Sequence, residues 1–146
     1  MNPVIQDFLD AKRIAVVGAS RSGKKFGNTA SAELKARGYQ VYLVHPEAKE
    51  IDGEPCYPNL ASLQDKVDGV WICVPPKQAG QVLREAVEAG FTKIWLQQGS
   101  ESPEVLALAK ELGVVPVSGK CILMYAPPVR SFHGWHRAFA KLFGQL

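Results

Sequence analysis

The chain has 146 residues, 47% of them hydrophobic and 21% charged, with a formal net charge of +3. This length predicts one domain, residues 1–146, with its own hydrophobic core, and the charge is too small and too scattered to indicate nucleic-acid binding. The sequence contains no apolar run long enough to cross a membrane, and the N-terminus lacks the pattern of a signal peptide. We therefore expect a cytoplasmic protein that contacts neither membrane nor nucleic acid.

The first elements in chain order form a strand, a glycine-containing loop and a helix. A short capped helix is predicted over Asn2–Ala11, followed by a buried strand at Ile14–Val17 and a helix at Thr29–Arg37. Between this strand and the second helix, glycines at 18, 23 and 27 give the spacing GxxxxGxxxG. This spacing matches neither the GxGxxG of dinucleotide enzymes nor the GxxxxGK[ST] of P-loops.

The composition of this loop indicates a phosphate ligand. Free amides in the turn and at the helix start, together with the helix dipole, suit a diphosphate. Hydroxyl and basic side chains in the loop favour a ligand with more phosphate charge than NAD, and they are contributed by Ser20, Arg21, Ser22, Lys24 and Lys25. The alternative interpretation is a tight turn with a solvated basic tip.

The second strand, Gln40–Val44, ends at His45–Pro46. An acidic residue at this position binds the ribose in NAD-binding domains, so its absence counts against NAD, although Glu47 is close enough to leave the question open. Asp52–Gly53 predicts a hairpin or edge strand within Ala48–Tyr57.

The rest of the chain alternates strands and helices. The predicted elements are a short helix at Ser62–Val67, a strand at Gly69–Val74, a helix at Lys77–Ala89, a strand at Lys93–Leu96, a helix at Val105–Leu112 and a strand at Val114–Val117. This alternation predicts an α/β fold, a Rossmann-like three-layer αβα sandwich with a mostly parallel sheet of five or six strands. Such sheets bind ligands at the carboxyl ends of the strands where strand order reverses, here between the first strand and the Gly69–Val74 strand.

Two further segments meet the loop at that edge. After the Gly69–Val74 strand, Pro75–Pro76 suits the wall of a ring-binding pocket, or Pro76 simply starts the next helix. Gln97 and Gln98 contact either a ligand or the neighbouring loops. The predicted binding residues are Gly18, Ala19, Ser20, Arg21, Lys24, Lys25, Gly27, His45, Pro46, Val74, Pro75, Pro76, Gln97, Gln98 and Gly99.

The sequence supplies little catalytic or metal chemistry. The cysteines, Cys56, Cys73 and Cys121, are odd in number and widely spaced, which argues against a disulfide framework or CxxC motif. We assign no catalytic residue, and whether the protein is an enzyme stays open, with a non-enzyme favoured. His133 and His136 lie within one helical turn but lack a third ligand, so no metal site is predicted.

Residues 130–146 are predicted to form a C-terminal helical tail. Its large aromatic residues recur at helical intervals between Phe132 and Phe143. They pack on the sheet, or they form a contact in a homo-oligomer or with a protein partner.

A resemblance to a known family rests on six segments taken together. They are VVGASRSGKKFGN, LKARGYQVYLVHP, IDGEPCYPNL, VWICVPP, IWLQQG and GKCI. The sequence resembles the CoA-binding domain family, which is related to the N-terminal domain of the succinyl-CoA synthetase α subunit. The resemblance implies coenzyme A (CoA) or an acyl-CoA as ligand. It places Ala19, Ser20, Arg21 and Lys25 around the phosphates and Val74, Pro75 and Pro76 along the adenine and pantetheine path.

Two departures from the family matter. His45–Pro46 stands where the family commonly has Asn-Pro, which implies different hydrogen bonding and pH sensitivity near neutrality. The synthetase has further domains for the phosphohistidine and the nucleotide, and 146 residues leave no room for them, so we expect no synthetase activity. The main hypothesis is a CoA-binding carrier, sensor or regulatory protein. The alternatives are an NAD(P)-binding oxidoreductase, or a subunit of one, with NADP favoured over NAD, and a protein-interaction module acting through the tail.

Overall fold

The computed structural model describes residues 2–127. The helices and strands are α1 (Pro3–Leu9), β1 (Arg13–Val17), α2 (Phe26–Ala36), β2 (Gln40–Val44), β3 (Glu50–Ile51), β4 (Glu54–Tyr57), β5 (Gly69–Ile72), α3 (Pro76–Glu88), β6 (Ile94–Gln97), α4 (Pro103–Leu112) and β7 (Val117–Lys120), with 3₁₀ helices at Ala61–Leu63 and Ile122–Met124. None of the helices in this part of the chain has the length and apolar character needed to cross a membrane. The predicted tail helix, including His133 and His136, lies outside the described residues.

The strands form one sheet in the order β3-β4-β2-β1-β5-β6-β7. Every neighbouring pair is parallel except β3 and β4, which form an antiparallel hairpin. The predicted Rossmann-like α/β fold with a mostly parallel sheet is confirmed. The sheet has more strands than the five or six predicted because both arms of the hairpin join it, with β4 pairing in parallel with β2.

Helices cover both faces of this sheet. α1, α2 and the second 3₁₀ helix pack on one face, while α3, α4 and the first 3₁₀ helix pack on the other. Trp71 of β5 and Trp95 of β6 are fully buried. Their indole N–H groups donate to Gln97 Oε1 and to the Lys120 carbonyl, each at 3.0 Å, so burial of the rings leaves neither polar group unpaired.

Three elements differ from their predicted boundaries by more than two residues. The last strand was predicted at Val114–Val117. The amide of Val114 instead donates to the carbonyl of Ala109 in the last turn of α4, and Pro116 has no N–H that could pair with a neighbouring strand. The strand β7 therefore begins at Val117. α2 begins at Phe26 rather than Thr29, and the predicted helix at Ser62–Val67 is reduced to a 3₁₀ turn at Ala61–Leu63.

The predicted reversal of strand order is confirmed. β1 lies between β2 and β5, and the chain continues from β1 into α2 on one face and from β5 into α3 on the other. Val17 is in register with Val44 and Ile72, and Ile72 with Leu96. The segments that follow these strands therefore meet at one edge of the sheet.

Candidate functional site

A cleft of about 1140 Å³ lies at this edge. It is bounded by the β1–α2 loop, the ends of β2 and β5, the surface of α3 and the β6–α4 turn. Most of the predicted binding residues line it: Gly18, Ala19, Ser20, Lys25, Gly27, His45, Pro46, Val74, Pro75, Gln97, Gln98 and Gly99. The remaining three, Arg21, Lys24 and Pro76, are exposed and lie outside the lining.

Gly18 and Gly27 bring three backbone segments unusually close together at the start of the loop. Gly18 has a φ of +139°, and a Cβ on it would lie 2.0 Å from the Cys73 carbonyl oxygen. A Cβ on Gly27 would lie 2.5 Å from the Gly18 carbonyl oxygen. Only glycine fits at both positions, and this approach seats the first turn of α2 directly against the ends of β1 and β5.

The N-terminus of α2 is open to the cleft. Lys25 occupies the N-cap position in an extended conformation, and its side chain makes no capping hydrogen bond. The first amides of a helix have no intrahelical partner and carry the positive end of the helix dipole. Together with the Lys25 side chain in the lining, they suit an anionic group such as a phosphate.

Hydrogen bonds within the loop fix its shape. Asn28 is 6% exposed; its Oδ1 accepts from the Ser20 amide at 2.9 Å, and its Nδ2 donates to the Ser20 carbonyl at 3.0 Å. The Ser22 amide donates to Ser20 Oγ, and the Gly23 amide donates to the Ser20 carbonyl. The sequence analysis gave Asn28 no role, although its place directly after Gly27, the last glycine of the pattern, was a usable signal.

At the end of β2, His45 makes a local turn. Its Nδ1 accepts hydrogen bonds from the Glu47 amide at 3.1 Å and the Ala48 amide at 2.9 Å. An asparagine Oδ1 makes the same kind of bond to following amides in an Asx turn. His45 therefore supplies an acceptor of the same type in this turn, and it does so with an unprotonated Nδ1. The predicted pH sensitivity at this residue stays a prediction.

The end of β5 contributes a thiol and a proline. Cys73 lines the cleft, and burial, with a further contribution from nearby Cys121, raises the pKa of its thiol to about 11. A thiol that stays protonated at neutral pH is a weak nucleophile. Pro75 lines the cleft as the N-cap residue of α3, while Pro76 is the first residue of that helix, so of the two interpretations of Pro76 the helix start is the one observed.

The end of β6 supports the neighbouring segments. Gln97 is buried, and its Oε1 accepts from Trp71 Nε1 and from the Ile122 amide, each at 3.0 Å. Gln98 is exposed, and its backbone amide donates to the Lys120 carbonyl. The side-chain oxygen of Gln97 therefore contacts the protein itself, as the second of the two interpretations of the glutamines supposed.

The part of the cleft around the first 3₁₀ helix and the second half of α3, which we call its far end, was missed by the sequence analysis. It is lined by Pro58, Asn59, Leu60, Ala61, Gln64, Val82, Glu85, Glu88 and Ala89. Gln64 Nε2 donates to the Ala89 carbonyl at 2.9 Å, while Glu85 and Glu88 are exposed carboxylates on α3. The only local sequence signal for this part of the cleft was that Glu85 and Glu88 lie three residues apart on the predicted helix.

Phe26 is another cleft residue that the sequence analysis missed. Its ring lies tilted against Trp71 with 6.3 Å between ring centroids, remains 44% exposed and lines the cleft. It therefore presents an apolar surface beside the open helix terminus. Among residues 2–127, no three His, Cys, Asp or Glu side chains are grouped so that they could bind a metal ion.

Known proteins resemble this chain over most of its described length. The family model described as a CoA binding domain matches residues 12–127. An acetate–CoA ligase (ADP-forming) of Archaeoglobus fulgidus is 32% identical over 123 residues, covering 77% of this chain and 18% of the relative. The chain thus spans less than a fifth of the length of that ligase.

Shorter relatives are matched over most of their own length. The uncharacterized protein YneT of Bacillus subtilis is 29% identical over 112 residues, covering 77% of this chain and 83% of that protein. The solved structure of a conserved hypothetical protein from Pyrococcus furiosus superimposes with a TM-score of 0.72 at 42% identity. The superposition covers 77% of this chain and 97% of that one.

Proposed function

The chain belongs to the CoA-binding domain family, and on this premise we propose that it binds CoA or an acyl-CoA in the cleft at the carboxyl ends of β1, β2, β5 and β6. The proposed role is that of a carrier, sensor or regulatory protein in the cytoplasm, without a reaction of its own. The ligase activity named for the Archaeoglobus relative belongs to a protein much longer than the matched segment and is not proposed here.

One observation carries this proposal: the close packing of Gly18 and Gly27 leaves the uncapped N-terminus of α2 and Lys25 at the cleft. CoA carries a diphosphate and a 3′-phosphate, and backbone amides at a helix start bind such groups well. The volume of about 1140 Å³ is ample for a ligand of that size.

The chemistry of the cleft supports a binding role. The Cys73 thiol has a pKa raised to about 11, and the His45 Nδ1 is occupied by two backbone amides. Neither group is therefore well placed to act as a nucleophile or a general base at neutral pH.

The test is a thermal melt of the purified chain with CoA, acetyl-CoA, dephospho-CoA and NADP in parallel. A ligand present at a hundredfold over its dissociation constant adds about 2.7 kcal/mol to the free energy of unfolding, which raises the melting temperature measurably. We expect CoA to give a larger shift than dephospho-CoA, and NADP to give little or none.

No shift with millimolar CoA would refute the proposal, and a larger shift with NADP would favour the oxidoreductase alternative. The comparisons lend that alternative no support, since the matching family is defined by CoA. The interaction-module alternative concerns residues 130–146, outside the described part of the chain, and no observation favours it.

A further inference from the structure

The β3–β4 hairpin touches the back of the loop that we assign to the phosphates. Asp52, at the tip of this hairpin, accepts a hydrogen bond on Oδ2 from Asn28 Nδ2 at 3.3 Å. The same Asn28 side chain binds both the amide and the carbonyl of Ser20. Asp52 is thus connected to the loop through one nearly buried side chain.

The hairpin also comes close to the tip of the loop. Gly23 has a φ of +73°, and the position that a Cβ would take on it lies 2.7 Å from Asp52 Oδ1. The two carboxylate oxygens therefore face different parts of the loop: Oδ2 bonds Asn28 and Oδ1 lies over Gly23. A single side chain thus bonds the loop through Asn28 and lies close beside it at Gly23.

The backbone of Asp52 is itself unusual. With a φ of 53°, it is the only non-glycine residue with positive φ among residues 2–127. Asp and Asn adopt this left-handed conformation more readily than other non-glycine residues. The next residue, Gly53, also has positive φ, as is common in two-residue hairpin turns, and in this turn the Asp52 carboxylate reaches Asn28.

We propose that Asp52 is a positioning residue for the phosphate-binding loop, acting through Asn28 and Gly23 rather than by contact with the ligand. Asp52 is exposed and lies outside the lining of the cleft. Its negative charge does not favour an anionic ligand, so its contribution comes from restraining the loop. This inference rests on the proposed function, but its effect on the loop is measurable without any ligand.

Three substitutions at this position separate the side-chain contact from the backbone conformation. Asp52→Asn retains an oxygen acceptor and tolerates the left-handed conformation. Asp52→Gly tolerates the conformation but has no acceptor, and Asp52→Ala has neither advantage. Glu54→Gln is the matched control, because Glu54 is an acidic residue of the same hairpin whose ion pair is with Lys35, away from the loop.

The experiment measures amide hydrogen exchange of residues 20–25 in the ligand-free proteins and then CoA affinity by calorimetry. We expect Asp52→Ala and Asp52→Gly to exchange faster in the loop and to bind CoA roughly three- to tenfold more weakly, the range for one lost hydrogen bond. Asp52→Asn and Glu54→Gln should exchange like the wild type, and Asp52→Asn should bind CoA at least as tightly.

Two results would overturn the inference. Wild-type exchange and affinity in Asp52→Gly would show that the side chain is dispensable, and a loss in Asp52→Asn equal to that in Asp52→Ala would show that hydrogen bonding is not the cause. If the wild type failed to bind CoA at all, the proposed function would fall, while the exchange data would still decide whether Asp52 restrains the loop.

Discussion

The two ends of the cleft are built in different ways. At the loop end, backbone groups meet at distances that only glycine permits, and two hydrogen bonds between Asn28 and Ser20 fix the shape, one accepted and one donated by the Asn28 side chain. At the far end, the lining comes from side chains of α3 and of the first 3₁₀ helix, among them Gln64, Glu85 and Glu88. We therefore expect replacement of the glycines at the loop end to disturb the backbone, and replacement of the exposed Gln64, Glu85 or Glu88 at the far end to leave the fold intact.

The two ends of the cleft also differ in charge. Lys25 and the open terminus of α2 make the loop end positive, while the carboxylates of Glu85 and Glu88 make the far end negative. A ligand with phosphates in one part and neutral groups in another should lie with its phosphates at the loop.

The largest effect is expected from Gly18→Ala. The new Cβ would lie 2.0 Å from the Cys73 carbonyl oxygen in a residue whose φ is +139°. Because two backbone segments must move apart, we expect the free energy of unfolding to fall by about 3 kcal/mol or more and CoA binding to be lost. Chemical denaturation and the CoA-dependent melt measure the two effects.

Gly90→Ala separates conformational strain from steric overlap. Gly90 has a φ of +93°, but no atom lies within 4 Å of the Cβ position. This substitution should cost about 1 kcal/mol, the penalty for a left-handed residue alone, and leave CoA binding intact. Equal losses in the two variants would mean that close packing at Gly18 is not what shapes the loop.

The contrast between the two ends of the cleft also explains which features could be predicted from the sequence. The glycine pattern, the strand order reversal and the loop next to β1 follow from local spacing, because turns and buried strands impose residue types over short distances. Glu88 and Gln64 reach the same cleft only through the packing of α3 and the first 3₁₀ helix. Charge, and for Arg21 also the family resemblance, predicts Arg21 and Lys24 as binding residues, and nothing in the local sequence distinguishes an exposed loop tip from a lining residue.

The next largest effect is expected from Gly27→Ala. Alanine favours a helix over glycine by about 1 kcal/mol, but here its Cβ would lie 2.5 Å from the Gly18 carbonyl oxygen. We expect a net loss of stability and a loss of CoA binding, despite the better helix former. Denaturation and calorimetry provide the measurement.

Gly80→Ala in α3 is the matched control for that variant. Its nearest neighbour would be Leu108 Cδ2 at 3.6 Å, an ordinary van der Waals contact. This variant should gain up to about 1 kcal/mol and bind CoA normally. A gain in stability for Gly27→Ala as well would contradict the tight junction between the loop and α2.

Lys25→Ala tests the charge of the loop end without disturbing the backbone. We expect little change in stability and CoA binding weakened by roughly fivefold at low salt, as for one favourable charge near a phosphate in partly exposed surroundings. Lys24→Ala is the control, because Lys24 is adjacent in sequence and exposed but does not line the cleft. If Lys24→Ala weakened binding as much as Lys25→Ala, net charge rather than position would account for the effect.

The smallest effect is expected at the far end, from Glu85→Gln and Glu88→Gln. Both carboxylates are exposed, so their repulsion of an anionic ligand is weak and screened by salt. Each variant should bind CoA up to about twofold more tightly at low ionic strength, and the difference should vanish as salt approaches 1 M. Glu111→Gln, on α4 outside the cleft, should show no change. Weaker binding in either cleft variant would mean that the carboxylate accepts a hydrogen bond from the ligand, and the far end would then take part in recognition directly.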